Sequence, residues 1–170
     1  MMICNKYSDE IKVLRRSIEA NTFSDIEAVR SFIRDYTKLV YDFKMIGLIY
    51  DYYDKNIIYR KENRLTITGV ENLVFDILEL LATFPDMTVD LESIIVSGDV
   101  DSGYKVWRRM RYHGTNTNHT KFGAPTNKEL GDGCLGLSMM FLNKVDGSWK
   151  VTEEHNPISY SYIRDVCTAE

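Results

Sequence analysis

The sequence predicts an α+β fold in which a strongly curved antiparallel sheet wraps around three to four helices. Helical periodicity dominates the first half of the chain, a long β-hairpin pattern follows it, and further strand patterns come after the hairpin. This order differs from the alternating strands and helices of a parallel sheet. A curved sheet closed on one side by helices leaves a cone-shaped cavity, and such a cavity is the default place to expect a ligand.

The helical segments are identified by their apolar spacing. A first helix is predicted over 8–20, and a second, longer helix begins after Ser24 or Asp25, either of which can cap its first turn. The stripe of that second helix comprises Ile26, Val29, Ile33, Tyr36, Val40 and Phe43. A short helix is predicted over 44–53, two short strands flank the polar turn at 61–63, and a further helix ends before Pro85.

The stretch 84–118 predicts one long β-hairpin that turns between Gly98 and Gly103. Its return strand alternates with a period of two, so that Arg108 is the charged residue on an otherwise apolar face. That face carries Tyr104, Val106, Arg108, Met110 and Tyr112, and the other face carries Lys105, Trp107, Arg109, Arg111 and His113. After a loop over 119–133, strands are predicted over 134–142 and 149–156, joined at Asp146-Gly147.

Composition limits the function classes. A net charge of −4 argues against nucleic acid as the main partner, because phosphate binding needs a basic surface. The three cysteines form neither a disulfide framework nor a metal-binding pattern, and we expect no metal and no cofactor. No apolar run approaches the roughly 20 residues that span a bilayer. We therefore expect a cytoplasmic protein that does not bind membranes.

Three motifs, in order, resemble the SnoaL-like polyketide cyclases and their ester-cyclase relatives, which have the cone-shaped fold of nuclear transport factor. FPDMTVDLESIIVSGD is similar to the family's FPDL…V…I..GD strand, and DGSWKVTEEHN is similar to its closing DGKI.EHW strand. Between them, KVWRRMRYHGTNTNHTKFGAPTNK is similar to KV..R….GTHTG.F.G.PPTGK. The resemblance covers roughly residues 25–158, preceded by a helical extension over 1–24 and followed by a tail over 159–170.

The resemblance implies a cone that binds a small organic molecule, polyketide- or steroid-like, and a homodimer formed through the outer face of the sheet. It also implies a lyase- or isomerase-type enzyme such as a cyclase, isomerase or dehydratase. The acid/base residues of the family are replaced, however. Asn116 stands where the cyclases have the histidine of GTHTG, and Met139 stands where they have an aspartate. Neither side chain can exchange a proton near neutral pH.

A substitute set of site residues is suggested by strand alternation. On the last strand Trp149, Val151, Glu153 and His155 share one predicted face, so Glu153 and His155 are expected to point toward Arg108. In this hypothesis His155 is the acid or base, Arg108 holds a carboxylate or enolate oxygen, and Asn116 lies near the mouth. The alternative is a structural pair between Arg108 and Glu153 beside a structural histidine.

Further ligand contacts are expected from Tyr59, on the first strand, and from Tyr112 and Met139. Two other functions stay open. A non-catalytic module of the same fold would bind the ligand without turnover, and an adaptor would use the open face of the sheet. Convergence of Arg108, Glu153 and His155 on a deep pocket would favour the enzyme, whereas a filled cone would favour the adaptor.

Overall fold

The computed structural model describes residues 2–62 and 65–168. Within them the chain forms five α-helices: α1 (Met2–Glu19), α2 (Ile26–Tyr41), α3 (Leu48–Tyr52), α4 (Val70–Thr83) and α5 (Tyr160–Cys167). Six strands accompany them: β1 (Tyr53–Arg60), β2 (Thr66–Thr68), β3 (Thr88–Asp99), β4 (Gly103–His113), β5 (Leu135–Val145) and β6 (Ser148–His155). No helix in these ranges combines the length and apolar character needed to cross a lipid bilayer.

The strands form one curved, unclosed sheet in the order β2-β1-β6-β5-β4-β3. Neighbouring strands are antiparallel except β1 and β6, which are parallel. The meander from β3 to β6 makes the wall of the cone, and β1 joins it although it comes much earlier in the sequence. The α+β class with a curved antiparallel sheet around helices is therefore confirmed.

The predicted hairpin is present as β3 and β4, and its turn has an identifiable cause. The carboxylate of Asp99 accepts hydrogen bonds from the backbone N–H groups of Asp101 (3.0 Å) and Ser102 (2.8 Å). Gly98 and Gly103 both have positive φ, 107° and 82°, which other residues adopt at a cost. The turn thus fixes the register of the two longest strands of the wall.

Both terminal helices pack onto this framework. In α1, Ile18 is buried, and Ser17 Oγ donates to the Asp35 carboxylate of α2 at 2.5 Å. Asp25 caps α2 as predicted, because its Oδ1 accepts from the Ala28 N–H at 2.8 Å. The tail, expected to be a loosely attached helix or strand, is helix α5, in which Ile163 is fully buried. The domain limits at 25 and 158 stay a prediction.

The hydrophobic core lies on the concave side of the sheet, and the inward-facing residues of β4 are part of it. The predicted alternation is confirmed, since all five residues of the first face are at most 4% exposed: Tyr104, Val106, Arg108, Met110 and Tyr112. Helix α2 covers them with a buried stripe that includes Phe32, Ile33, Tyr36, Thr37 and Val40. The predicted helix face and the predicted strand face therefore pack against each other.

Strand β6 contains a β-bulge that the sequence analysis did not anticipate. Phe141 of β5 pairs with Glu153, but the next residue, Leu142, pairs with Val151, so Thr152 is an extra residue in β6. Asn143 Nδ2 donates to Thr152 Oγ1 at 2.7 Å and holds the bulged residue. An extra residue reverses the alternation beyond it. Trp149 and Val151 consequently face the core, and after the bulge Glu154 and Asn156 do.

Gly136 of β5 makes room for the Tyr112 ring, and this contact gives a test of the packing. A Cβ at Gly136 would lie 2.7 Å from Tyr112 Cε2. Gly136→Ala is therefore expected to lower the free energy of unfolding by about 1–3 kcal/mol, because overpacking forces a core side chain from its rotamer. Urea unfolding followed by circular dichroism measures the change.

Gly47→Ala is the matched control, because no atom lies within 4 Å of the Cβ it would add and Gly47 has a negative φ of −55°. We expect this variant to unfold at the same urea concentration as the parent or slightly above it. Equal stability of Gly136→Ala and Gly47→Ala would contradict the packing of the Tyr112 ring against Gly136 of β5.

Candidate functional site

A buried ion pair occupies the concave side of the sheet. Arg108 on β4 and Glu154 on β6 approach to 2.7 Å between Nη2 and Oε1, and their side chains are only 3% and 2% exposed. Strand alternation turns Arg108 inward, and the bulge at Thr152 turns Glu154 toward it. A charge pair removed from water to this extent needs further hydrogen bonds to compensate its lost hydration.

Three hydroxyl groups supply those hydrogen bonds, and together with the ion pair they form what we call the central network: Arg108, Glu154, Ser138, Thr37 and Tyr53. Arg108 donates to Ser138 Oγ at 3.0 Å and to Thr37 Oγ1 at 3.1 Å. Glu154 accepts from Ser138 Oγ at 2.7 Å and from Tyr53 OH at 2.6 Å. The network therefore joins α2, β1, β4, β5 and β6.

Electrostatics keep the network in one protonation state. Burial is the largest single effect and acts to lower the pKa of Arg108, but the Glu154 carboxylate and the neighbouring tyrosines together outweigh it, so the pKa is raised and the guanidinium stays charged. Burial, and then the Glu154 carboxylate, raises the pKa of Tyr53 well above its usual value. The Tyr53 hydroxyl is therefore a protonated, neutral hydrogen-bond donor throughout the physiological range.

Two polar atoms beside this network lack a partner among the described residues. They are Arg108 Nε and Tyr36 OH, both of which are buried. Tyr36 lies next to Thr37 on α2, and burial followed by the Glu154 carboxylate raises its pKa, which places it within range of that charge. Buried polar groups in proteins are nearly always hydrogen-bonded, so unpaired ones require an explanation.

Tyrosines line much of the remaining concave side. Tyr36, Tyr41, Tyr53, Tyr59 and Tyr112 are each at most 7% exposed, and burial raises the pKa of Tyr41 to about 12. Tyrosine side chains thus line the hollow expected from the sequence, and an enclosed ligand pocket stays a prediction. At its edge, Thr37 of the central network also lines a surface depression of about 410 Å³ between α1, α2 and β3.

The structure places Tyr59, Tyr112 and Arg108 inside, as expected, but it does not bring Glu153 and His155 to Arg108. Glu153 lies on the outer face, where it accepts from Arg60 Nε at 2.9 Å and contacts His155 Nε2 at 2.7 Å. These hydrogen bonds, from Arg60 first, lower the pKa of Glu153. The predicted convergence is wrong, because the bulge in β6 exchanges Glu153 for Glu154.

Met139 is also on the outer face, between Trp107 and His155 in the strand register. Its neighbours Ser138 and Met140 face the core and are at most 1% exposed. The expectation that Met139 contacts an interior ligand is therefore wrong. Met139 was chosen because it aligns with an aspartate of the family. On β5, however, the neighbouring residue Ser138 is the one that faces inward.

Asn116 is buried, but its contacts are those of a loop anchor. Its Oδ1 accepts from Thr126 N at 2.7 Å and from Thr126 Oγ1 at 3.1 Å, and its backbone N–H donates to Lys128 O at 3.0 Å. Its Nδ2 has no partner among the described residues. Any role of Asn116 toward a ligand stays a prediction.

No histidine reaches the concave side within the described chain. His155 pairs with Glu153 on the outer face, His113 Nε2 lies 2.9 Å from the Asp90 carboxylate at the end of the hairpin, and His119 is exposed in a loop. In the same ranges, no three His, Cys, Asp or Glu side chains group as metal ligands. Proton transfer inside the cone would have to use tyrosines or Glu154.

Sequence reasoning missed Glu154, Ser138, Thr37 and Tyr53. The available signal was weak: Thr37 is a polar residue on the apolar stripe of α2, and Ser138 is the polar residue in an apolar strand. Glu154 stands beside Glu153, and only the bulge decides which of the two is buried. A bulge is not visible in residue alternation.

The sequence matches no protein-family profile and no curated protein sequence. Solved structures nevertheless share the fold. TsrD from Streptomyces laurentii has a TM-score of 0.61 at 15% identity, covering 86% of this chain and 98% of that one. A candidate SnoaL-like polyketide cyclase from Jannaschia sp. CCS1 has a TM-score of 0.59 at 14% identity, covering 78% and 88%.

An uncharacterized protein with a cystatin-like fold from Caulobacter vibrioides is similar too, with a TM-score of 0.60 at 13% identity over 78% of this chain and 87% of that one. These structures define the class: the chain has the cone-shaped α+β fold of the SnoaL-like and nuclear-transport-factor-like proteins. Identities this low establish the fold alone, so the activity must be argued from the site.

The central network gives a second prediction. Arg108→Met is expected to lower the free energy of unfolding by about 3–5 kcal/mol, because it leaves the Glu154 carboxylate buried without its counter-charge. Arg109→Met, at the exposed neighbouring position where the side chain is 51% exposed, should change stability by less than about 0.5 kcal/mol. Chemical denaturation at neutral pH compares the two variants.

A double variant, Arg108→Met with Glu154→Gln, should recover part of the lost stability because no net charge stays buried. A single Arg108→Met variant as stable as Arg109→Met would show that the ion pair is not the centre of the core.

Proposed function

We propose that this protein binds a small organic molecule of mixed polarity, polyketide- or steroid-like in size, on the concave side of its sheet. The fold encloses this side between the wall and helix α2. Aromatic surfaces and hydroxyl donors surround it, which is the composition expected of a site for an apolar molecule with a few oxygens.

The observation that carries the proposal is the unused hydrogen-bonding capacity beside the central network. Arg108 Nε and Tyr36 OH are both buried donors without an acceptor among the residues that the structure describes. A purely structural core would be expected to pair them, since each unpaired buried group costs about 1–3 kcal/mol. A ligand oxygen placed between Arg108 and Tyr36 would satisfy them. The alternative occupant is ordered water, which the test below separates from a ligand.

The charge balance of the interior favours a neutral ligand. The Arg108 charge is compensated by Glu154 at 2.7 Å, and the nearby tyrosines keep their protons because burial raises their pKa values. An anion would add an uncompensated buried charge, whereas a ketone, quinone or phenol would accept hydrogen bonds without one. We therefore propose that the ligand presents a neutral carbonyl to Arg108, and not the carboxylate expected from the sequence.

Turnover by a lyase- or isomerase-type reaction is the second candidate, and one contact favours it. Tyr53 OH donates to Glu154 Oε2 at 2.6 Å, so a carboxylate that could act as a base lies in the interior beside a hydroxyl donor. His155 is not available for this role because it lies on the outer face. Binding without turnover is the function that the contacts support best.

Tyr36→Phe tests ligand binding directly. This variant removes an unpaired hydroxyl, so the stability should be unchanged or slightly higher, while the affinity for a ligand that uses the hydroxyl should fall about five- to tenfold, the equivalent of one hydrogen bond. Isothermal titration calorimetry with emodin and with progesterone measures the affinity. Mass spectrometry of the purified protein, denatured to release its contents, identifies a retained ligand.

Tyr50→Phe is the matched control, because Tyr50 is 49% exposed on α3. Its affinity should equal that of the parent. Binding of neither probe together with no retained ligand, or equal affinities of the Tyr36 and Tyr50 variants, would contradict the proposal and leave water as the partner of the two donors.

We also propose a homodimer formed through the outer face of the sheet. Ile95, Trp107 and Met139 stand in register across β3, β4 and β5, and Ile95 and Trp107 are 63% and 51% exposed. Leu137, 59% exposed, lies beside them. A tryptophan among aliphatic residues with arginine at the edge, here Arg109, is typical of an interface centre.

Trp107→Lys is expected to weaken the dimer by at least about tenfold, since a central tryptophan contributes more than about 1.4 kcal/mol to such contacts. Sedimentation equilibrium over a concentration series measures the dissociation constant. Phe75→Lys on α4, where the phenylalanine is 64% exposed, is the control and should leave the dimer intact. A parent protein that is monomeric throughout the series would rule out the interface.

A further inference from the structure

We propose that helix α5, latched at Tyr160, is the gate through which a ligand reaches the concave side of the sheet. This inference rests on the proposed ligand-binding function and adds an entry route to it. A ligand on the concave side requires such a route, since the aromatic side chains there are almost inaccessible to solvent.

Helix α5 begins at the end of the cone where the inner tyrosines lie. Asn156 is the last inward residue of the sheet, and two residues later Ile158 forms a bridge to Gly136. The missing side chain of Gly136 leaves the space that the Tyr112 ring occupies. Tyr160 then packs against the core. The segment that leads into α5 therefore lies beside the part of the core that contains Tyr112.

Tyr160 holds α5 to β1 and α4 through what we call the latch: Lys61, Glu62, Asp76 and Tyr160. The Tyr160 N–H donates to Glu62 Oε2 at 2.9 Å, and its hydroxyl lies 3.4 Å from Asp76 Oδ2. Lys61 Nζ donates to both Asp76 oxygens, at 2.6 and 2.8 Å, and stands 4.0 Å from the centre of the Tyr160 ring. The latch is thus a compact polar cluster over one residue of α5.

The latch adjoins the tyrosines beneath it. Burial, then the Asp76 carboxylate and then Tyr41, raises the pKa of Tyr160, and Tyr160 in turn contributes to the raised pKa of Tyr59 after burial and Glu154. Tyr160 packs against the same core that contains Tyr41 and Tyr59. Moving Tyr160 outward would therefore expose part of that core.

Besides its buried apolar residues Ile163, Val166 and Cys167, α5 contacts a loop through two hydrogen bonds. Tyr162 OH donates to Leu130 O at 2.7 Å, and Thr126 Oγ1 donates to Val166 O at 2.8 Å. An eight-residue helix has little stability of its own. Opening α5 would expose Ile163, Val166 and Cys167, but it would break none of the strand pairing from β3 to β6, so it can occur at a lower free energy than global unfolding.

A rival route lies on the opposite side of α2. Thr37 of the central network lines the depression between α1, α2 and β3, and Leu14 of α1 lies at its rim. Entry there would require α1 to move away from Lys38 and Asp35, to which Glu10 and Ser17 are bound. The proposed gate requires α5 to move, whereas the rival route requires α1 to move. Experiments on the two helices can therefore distinguish the routes.

Hydrogen exchange of the ligand-free protein, followed by mass spectrometry, tests the gate without any ligand. Amides of α5 should exchange at least about tenfold faster than those of β4 and β5, and Tyr160→Ala should raise the α5 rate about tenfold more while leaving β4 and β5 unchanged. Ser161→Ala, on the exposed side of the same helix, should exchange like the parent. Exchange of α5 at the rate of β4 in the parent would overturn the gate.

Association kinetics with emodin and progesterone by stopped flow test the route. Tyr160→Ala should accelerate association about five- to tenfold, and Leu14→Trp, which narrows the rival depression, should leave it unchanged. The opposite result, slowing by Leu14→Trp with no effect of Tyr160→Ala, would overturn the gate in favour of the rival route. Separate opening of α5 in a protein that binds neither probe would support the gate and count against the proposed ligand alone.

Discussion

The buried pair of Arg108 and Glu154 is the constraint on which the interior depends. A guanidinium on the concave face of a sheet cannot remain without an anion, and the anion comes from β6, two strands away, where a bulge turns Glu154 inward. Ser138, Thr37 and Tyr53 then complete the hydrogen bonds, so residues from five elements converge on one charge pair. Hydrogen bonds from several elements of the fold therefore compensate the free-energy cost of dehydrating the two ions.

This compensation also decides what the concave side can accept. An arginine that already has its carboxylate is no longer a site for an anionic substrate, and the surrounding tyrosines keep their protons. What stays free is directional hydrogen bonding from Arg108 Nε and Tyr36 OH. The interior therefore resembles a polar but electrically neutral lining, closer to that of a binding protein than to that of an acid–base enzyme with a free imidazole.

Much of the fold follows from local patterns, and the main error at the site has one physical origin. The hairpin, the cap of α2 by Asp25 and the inward position of Arg108 are set by residue spacing within single elements, and spacing was sufficient to predict them. The partner of Arg108 depends on pairing between β5 and β6, where one extra residue exchanges faces. Glu153 and His155 were therefore misplaced together. Met139 was misplaced for another reason, since its position was carried over from the resemblance, and Tyr59 and Tyr112 were placed correctly inside.

The bulge determines which residues of β6 face the interior. Straightening it at Thr152, with no change of sequence, would turn Glu153 and His155 inward in place of Glu154 and Asn156. A carboxylate would still meet Arg108, but an imidazole would replace an amide in the interior. The same eight residues thus specify two alternative linings, and the hydrogen bond from Asn143 to Thr152 helps to select between them.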